Sequence, residues 1–239
     1  MADVRLATFN VENLFARFKF KAKIDPSHAV EDGWNVNETA FSFMSPEAKR
    51  ITGQAIKATR ADIICLQEVE NLDTLKKFRS DYLGGRKAYP YALSIDGNDP
   101  RLIDVAVLSR HSVVHARSYA FLRHRNSALF SRDCLEVDVL IGSRPLTLFV
   151  QHYKSMMGGR KKTRPRRAIQ VKKTKQIIKD RFGQDPGTEP WVVLGDFNDY
   201  LQTDNEGTPA IRPLVDWDQV ENVVKRLPKG EQWTARCSG

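Results

Sequence analysis

The stretch "WVVLGDFNDY", residues 191–200, decides how this chain is read. Four apolar residues and Gly195 run into Asp196, Phe197, Asn198 and Asp199. A short, nearly continuous apolar run bounded by turn residues reads as a central strand covered on both faces. Two carboxylates and an amide at its carboxyl end sit where α/β proteins gather their ligands. Asp and Asn also shape turns by bonding their own backbone, so a site requires partners from elsewhere in the chain.

Three other strand patterns end in the same way. "RLATFN" (5–10) runs into Asn10, Glu12 and Asn13; "DIICLQ" (62–67) runs into Glu68, Glu70 and Asn71; "LTLFVQHY" (146–153) carries His152 and is followed by Lys154. Taken singly, Glu68 reads as a surface or helix-first-turn charge and His152 as a hydrogen-bonded core histidine. Taken together, the four strand ends offer carboxylates, amides and one histidine without cysteine. That donor set suits the hard cations Mg²⁺, Mn²⁺ or Ca²⁺ better than zinc.

Further strands are expected at 91–94, 103–109 and 135–141, with antiparallel pairs over 103–121 and 135–153. "LEVDVLI" (135–141) and "RLATFN" alternate as half-exposed strands do. Helices are expected from Pro46 to about Thr59, capped by Ser45; from Asn71 to about Arg79; and from Pro165 to about Arg181, stopped by Gly183. The mixture indicates one α/β domain spanning 1–239 rather than a simple βαβ series. GxGxxG and GxxxxGK[ST] are both missing, so the usual dinucleotide and P-loop cradles are not expected.

A chain of 239 residues can bury a substantial core, and 41% hydrophobic with 28% charged residues is ordinary for a globular protein. No apolar run approaches the length of a membrane span. The N-terminus enters a strand pattern without a basic-then-apolar leader, which leads to an expectation of a cytoplasmic protein, although a removed leader would look the same. Cys65, Cys134 and Cys237 are too few and too far apart for a disulfide framework or a zinc site. The net charge of +9 is concentrated: 12 of the 38 Lys/Arg, but only one of the 29 Asp/Glu, lie between Lys154 and Phe182. Such a run points to an anionic partner, nucleic acid or phospholipid head groups, or else to a solvated helix face.

The ordered set "TFNVENLF" (8–15), "ADIICLQEVEN" (61–71), "IDVAVLSR" (103–110), "QHYKS" (151–155) and "VVLGDFND" (192–199) resembles the endonuclease/exonuclease/phosphatase superfamily. That group includes pancreatic-type DNases, AP endonucleases, inositol polyphosphate 5-phosphatases and bacterial sphingomyelinases. The resemblance implies a four-layer α/β sandwich, two packed mixed sheets flanked by helices. It implies Glu68 as the principal metal carboxylate with Asn10 beside it, and Asp196 as the carboxylate that orients or deprotonates the attacking water. It implies Asn198 as the amide on the scissile phosphate and His152 as a phosphate contact. Glu12 falls where AP endonucleases carry an Asp. The activity so implied is metal-dependent hydrolysis of a phosphodiester by an activated water, with Mg²⁺ or Mn²⁺ as cofactor and Ca²⁺ as a further candidate.

The family pattern also closes with a C-terminal Ser-Asp-His, and none of the five histidines follows Asp199. The expectation is therefore a domain lacking its last strands and impaired in activity, either as a fragment or as a degenerate member that binds without cleaving; His124 standing in is a third reading. For substrate, the basic run beginning at Lys154 and continuing through Arg160, Lys161, Lys162, Arg164, Arg166 and Arg167 favours a nucleic-acid backbone. Anionic phospholipid is the other candidate. A phosphatase, a lipid phosphodiesterase and a non-catalytic nucleic-acid-binding domain remain as alternative functions.

Overall fold

The computed structural model describes residues 3–14, 19–20, 41–42, 46–232 and 234. The expected cap Ser45 and Cys237 lie outside the described residues. The chain forms two compact units, Met1–His152 with Trp191–Asp196, and Tyr153–Pro190 with Phe197–Gly239.

The first unit contains β1 (Leu6–Leu14), a short antiparallel pair β2 (Lys19–Phe20) and β3 (Phe41–Ser42), α1 (Pro46–Thr59), β4 (Ile63–Val69), α2 (Leu72–Tyr82) and α3 (Gly85–Ala88). It continues with β5 (Tyr91–Ser94), β6 (Asp104–Ser109), β7 (Val113–Arg117), β8 (Arg123–His124), β9 (Ser127–Ala128), β10 (Cys134–Ile141) and β11 (Arg144–His152). The second holds α4 (Arg160–Phe182) and α5 (Arg212–Val215); β12 (Trp191–Asp196) returns to the first.

Two mixed sheets build the first unit, in the orders β1-β4-β6-β5 and β12-β11-β10-β7. β1 runs parallel to β4 and β12 parallel to β11, while the remaining pairs in these sheets are antiparallel. Strand alternation divides the apolar side chains between two cores. Ile63, Cys65, Val105 and Val107 meet Leu135, Val137, Val139, Leu148, Val150 and Leu194 of the other sheet. Ile64, Leu66, Ala106 and Leu108 point the other way, onto Ile56 of α1 and Leu75 and Phe78 of α2. Burial on both faces is why β4 reads as an unbroken apolar run. The expected α/β class with two packed mixed sheets and helices is thus present.

α1 spans the expected residues, and α2 is capped by Asn71, whose Oδ1 accepts from Thr74 N at 2.9 Å. Four expectations need correction. β6 and β7 do not form a hairpin: β7 pairs with β10, so the chain changes sheet after Ser109, whose hydroxyl donates to His111 O and accepts from its N. β10 is not half-exposed: Glu136 and Asp138 are buried, Glu136 Oε2 accepting from the Tyr119 hydroxyl (2.7 Å) and Asp138 Oδ1 from the Thr147 hydroxyl (2.6 Å). β12 is an edge strand of its sheet rather than a central one. α4 begins at Arg160, not Pro165; the proline sits inside the helix, and the first turn is held instead by Thr163, whose N and hydroxyl both donate to Gly159 O.

In the second unit Gly183 ends α4, donating its N–H to Lys179 O at 2.8 Å. Lys175 and Lys179 lie over the ring of Trp217, at 4.6 and 5.8 Å from its centroid, and Lys175 Nζ donates to Pro213 O.

Candidate active site

β1 and β4 each carry a bulge at the same end, between Asn10 and Leu14 and between Gln67 and Val69. Bulges re-aim side chains out of the regular alternation. Here they coincide with left-handed backbone at Glu12, Asn13 and Glu68 (φ 51°, 62° and 67°), a conformation that costs non-glycine residues energy and collects at functional positions. The result is a tight contact set. Asn13 N donates to Glu68 Oε2 at 3.0 Å, and the Asn10 side-chain amide donates to Glu68 Oε1 at 3.3 Å.

The second sheet supplies the other half. β11 and β12 run parallel with Gln151 opposite Gly195 and His152 opposite Asp196. Gly195 has φ 133°, and a Cβ there would stand 2.0 Å from Gln151 O, so only glycine permits the approach. Asp196 Oδ2 accepts from Asn10 Nδ2 at 3.0 Å, which joins the strand ends of both sheets. His152 Nε2 lies 3.7 Å from Glu68 Oε1 and 3.9 Å from Asp196 Oδ2. Asn10, Glu68, His152 and Asp196 are therefore brought together.

His152 is almost wholly buried, and burial, followed by the positive charge of Arg132, pushes its pKa down to about 3. The imidazole is neutral at ordinary pH. Arg132 Nε donates to its Nδ1 at 3.3 Å, and Arg132 Nη2 stands 3.1 Å from its Nε2. A neutral ring accepts at one nitrogen only. One ring nitrogen therefore accepts from Arg132 and the other carries the N–H; Nε2 is the nitrogen that lies near the two carboxylates. Arg132 is itself buried and held by Asp99, 3.5 Å from its Nε, and Asp99 is also paired with Arg101.

Sequence reasoning missed Arg132 and Asp99. An arginine in "SRDC" before a strand looks like any surface turn charge, and only its place in the fold reveals that it braces His152.

Asn198 belongs to the second unit, in left-handed conformation (φ 50°), and its side-chain amide donates to Tyr153 O at 3.2 Å. The basic run divides. Arg160 and Arg167 are buried: Arg160 bonds Asp204 at 2.6 Å and lies 3.5 Å from Asp199, and Arg167 donates to Lys154 O and the Thr163 hydroxyl. These two are anchors of α4 rather than exposed contacts for a partner. Lys161, Lys162 and Arg164 are exposed; Lys154 and Arg166 are half-buried.

The donor chemistry fits a hard divalent cation. Such ions keep several waters and take one or two carboxylates, which Glu68 with the Asn10 amide oxygen can provide. Among the described residues no group of three or more His, Cys, Asp or Glu is arranged to hold a metal by itself. No helix among them is long and apolar enough to cross a membrane.

The Endonuclease/Exonuclease/phosphatase family profile matches residues 5–223. The chain belongs to this family. Members of the family are generally hydrolases of phosphodiester bonds and typically use divalent metals. No curated protein matches the chain in sequence. Among solved structures, a β-hairpin deletion mutant of beta toxin from Staphylococcus aureus is similar at TM-score 0.55 and 16% identity, over 90% of this chain and 72% of that one. The human Nocturnin catalytic domain is similar at TM-score 0.55 and 18% identity, over 81% and 71%. A humanized D. rerio TDP2 is similar at TM-score 0.50 and 16% identity, over 87% and 68%. Several other solved chains of this kind are spanned over only 57–62% of their length. At these identities the likeness is one of fold.

Proposed function

We propose that the chain is a metal-dependent phosphodiester hydrolase, nuclease-like, that uses an activated water. The observation that carries this reading is the meeting of Asn10, Glu68, Asp196 and His152 at strand ends of two sheets. Glu68 and Asn10 would hold Mg²⁺ or Mn²⁺. Such an ion, when bound, neutralises charge on the phosphate oxygens.

The chain's own residues do the rest. Asp196, oriented by the Asn10 amide, takes the proton of the attacking water. His152, neutral and held by Arg132, donates its ring N–H to a non-bridging oxygen. Asn198, two residues after Asp196, is assigned the amide contact to phosphate that the family resemblance suggests. No serine or cysteine nucleophile is invoked: Cys65 and Cys134 are buried, and burial raises the Cys65 thiol far above the reactive range.

The substrate favoured is nucleic acid, with Lys161, Lys162 and Arg164 on the exposed side of α4 and Lys154 and Arg166 beside them as backbone contacts. The test is Mg²⁺- or Mn²⁺-dependent cleavage of plasmid DNA and of bis-(p-nitrophenyl) phosphate. Both should vanish in EDTA and in Glu68→Ala and Asp196→Ala. Wild-type rates in those variants would show the assignment to be wrong.

A further inference from the structure

The segment from Ala116 to Arg132, "ARSYAFLRHRNSALFSR", contains Arg117, Arg123, Arg125 and Arg132 and no acidic residue. It interleaves them with Tyr119, Phe121 and Phe130. β8 and β9 lie within it as a short antiparallel hairpin, and Leu129 N donates to Leu122 O at 2.7 Å. Its apolar residues are divided unequally. Leu129 and Phe130 are buried, whereas Phe121 is 69% exposed.

Phe121 is nonetheless mounted firmly. Its ring stacks on Tyr119 with centroids 6.4 Å apart and planes 28° from parallel. Tyr119 is pinned at both ends: its hydroxyl donates to buried Glu136 at 2.7 Å and its N–H to buried Asp133 at 2.7 Å. Asn98 ties the carbonyls of Ala120 and Phe130 together from the neighbouring loop. Asp133 is the chain neighbour of Arg132, which contacts His152. An exposed aromatic face is thus braced on the frame that orients the proposed catalytic histidine.

We propose that Phe121, with Arg123 and Arg125, is a single-stranded nucleic-acid subsite, in which a base stacks on the Phe121 ring and the two arginines bind the adjoining backbone; that the bound strand is a substrate rests on the hydrolase reading above. Stacking platforms set among cationic groups are how proteins hold single strands without sequence preference, and guanidinium groups are suited to phosphate. A bilayer is the less favoured occupant. The hairpin tip, Arg123–Ser127, is entirely polar, so the segment would present charge rather than an apolar wedge to a membrane.

The test uses the full chain and a short fluorescein-labelled oligothymidylate, with binding read by anisotropy in EDTA so that no turnover intervenes. Phe121→Ala should weaken binding about ten- to a hundredfold, and Phe121→Trp should retain it. Replacing Arg123 and Arg125 together by Ala should lower the slope of log affinity against log salt by roughly 1.4. Turnover of bis-(p-nitrophenyl) phosphate, which has no base, should be the same in Phe121→Ala as in wild type. Wild-type oligonucleotide affinity in Phe121→Ala overturns the proposal, as does a loss confined to phosphatidylserine vesicles. Failure of the hydrolase reading would show separately, as absent turnover in the wild-type chain.

Discussion

Asn10 donates its side-chain amide to Asp196 Oδ2 at 3.0 Å across 186 positions of sequence. The same amide reaches Glu68 Oε1 at 3.3 Å, so one neutral donor holds two carboxylates in register. Replacing it with Ala leaves the carboxylates without that bridge. Groups that orient ligands typically account for ~10–100-fold in metal affinity or activity, and Asn10→Ala should lower kcat/KM on bis-(p-nitrophenyl) phosphate by that order.

The Arg132–Asp99 pair is nearly solvent-free, with side chains 3% and 6% exposed. Removing the carboxylate of a buried pair strands the other charge, at a cost of ~3–5 kcal/mol. Asp99→Asn should therefore unfold at much lower urea than wild type, Arg132→Met less so because Asp99 keeps Arg101, and combining the two should recover part of the Asp99→Asn loss. Additive losses in that double-mutant cycle would show that the pair is not coupled.

Asp104 opens β6 almost fully buried, with Oδ1 accepting from Gly97 N at 2.7 Å. Burial, only partly offset by that bond and reinforced by Asp96, Asp133 and Asp99, pushes its pKa from 3.8 up to about 7. Between those values the folded state binds the extra proton. The stability it contributes is present below about pH 4 and is lost as pH rises through 7. Asp104→Asn can keep the Gly97 bond and removes the titration. Its advantage over wild type should grow by ~3 kcal/mol between pH 5 and pH 8, as read by urea unfolding at the two pH values. Equal pH dependence in both proteins would refute this.

Gly195→Ala places a methyl group where 2.0 Å separates it from Gln151 O. β12 must move away from β11, carrying Asp196 with it. The expected loss is at least ~2 kcal/mol of stability, together with loss of turnover beyond what the stability change explains.

Alanine at Lys161, Lys162 and Arg164 should leave the melting temperature nearly unchanged and reduce the salt slope of DNA binding by ~2–3. Alanine at Arg160 or Arg167 should instead lower the melting temperature, since both are buried in contacts with Asp204, Thr163 and the Lys154 carbonyl. Equal behaviour of the two groups would contradict the division of the basic run.

The strands were legible in sequence because their apolar runs match strand length, and the ligand-type residues were legible because they follow those runs. The extent of α1 also followed from local rules, as did the start of α2 to within one residue, where Asn71 proves to be the cap rather than the first helical residue. The pairing of β7 with β10 did not: a strand's partner depends on where the chain changes sheet, and no local residue signals it. Arg160 and Arg167 look like their exposed neighbours for the same reason. Burial belongs to a position on the helix relative to its surroundings, not to residue type.

What the sequence alone determined is the chemistry on offer: Glu68, Asp196, Asn10 and His152 at the ends of four strands, and a positive charge concentrated after Lys154. Tertiary structure alone decided which of these lie together. Paired bulges on β1 and β4 and the glycine approach of β12 to β11 bring four distant residues to one place. Burial beside Arg132 then keeps His152 neutral, a property set by desolvation and neighbouring charge rather than by the residues around it in the chain.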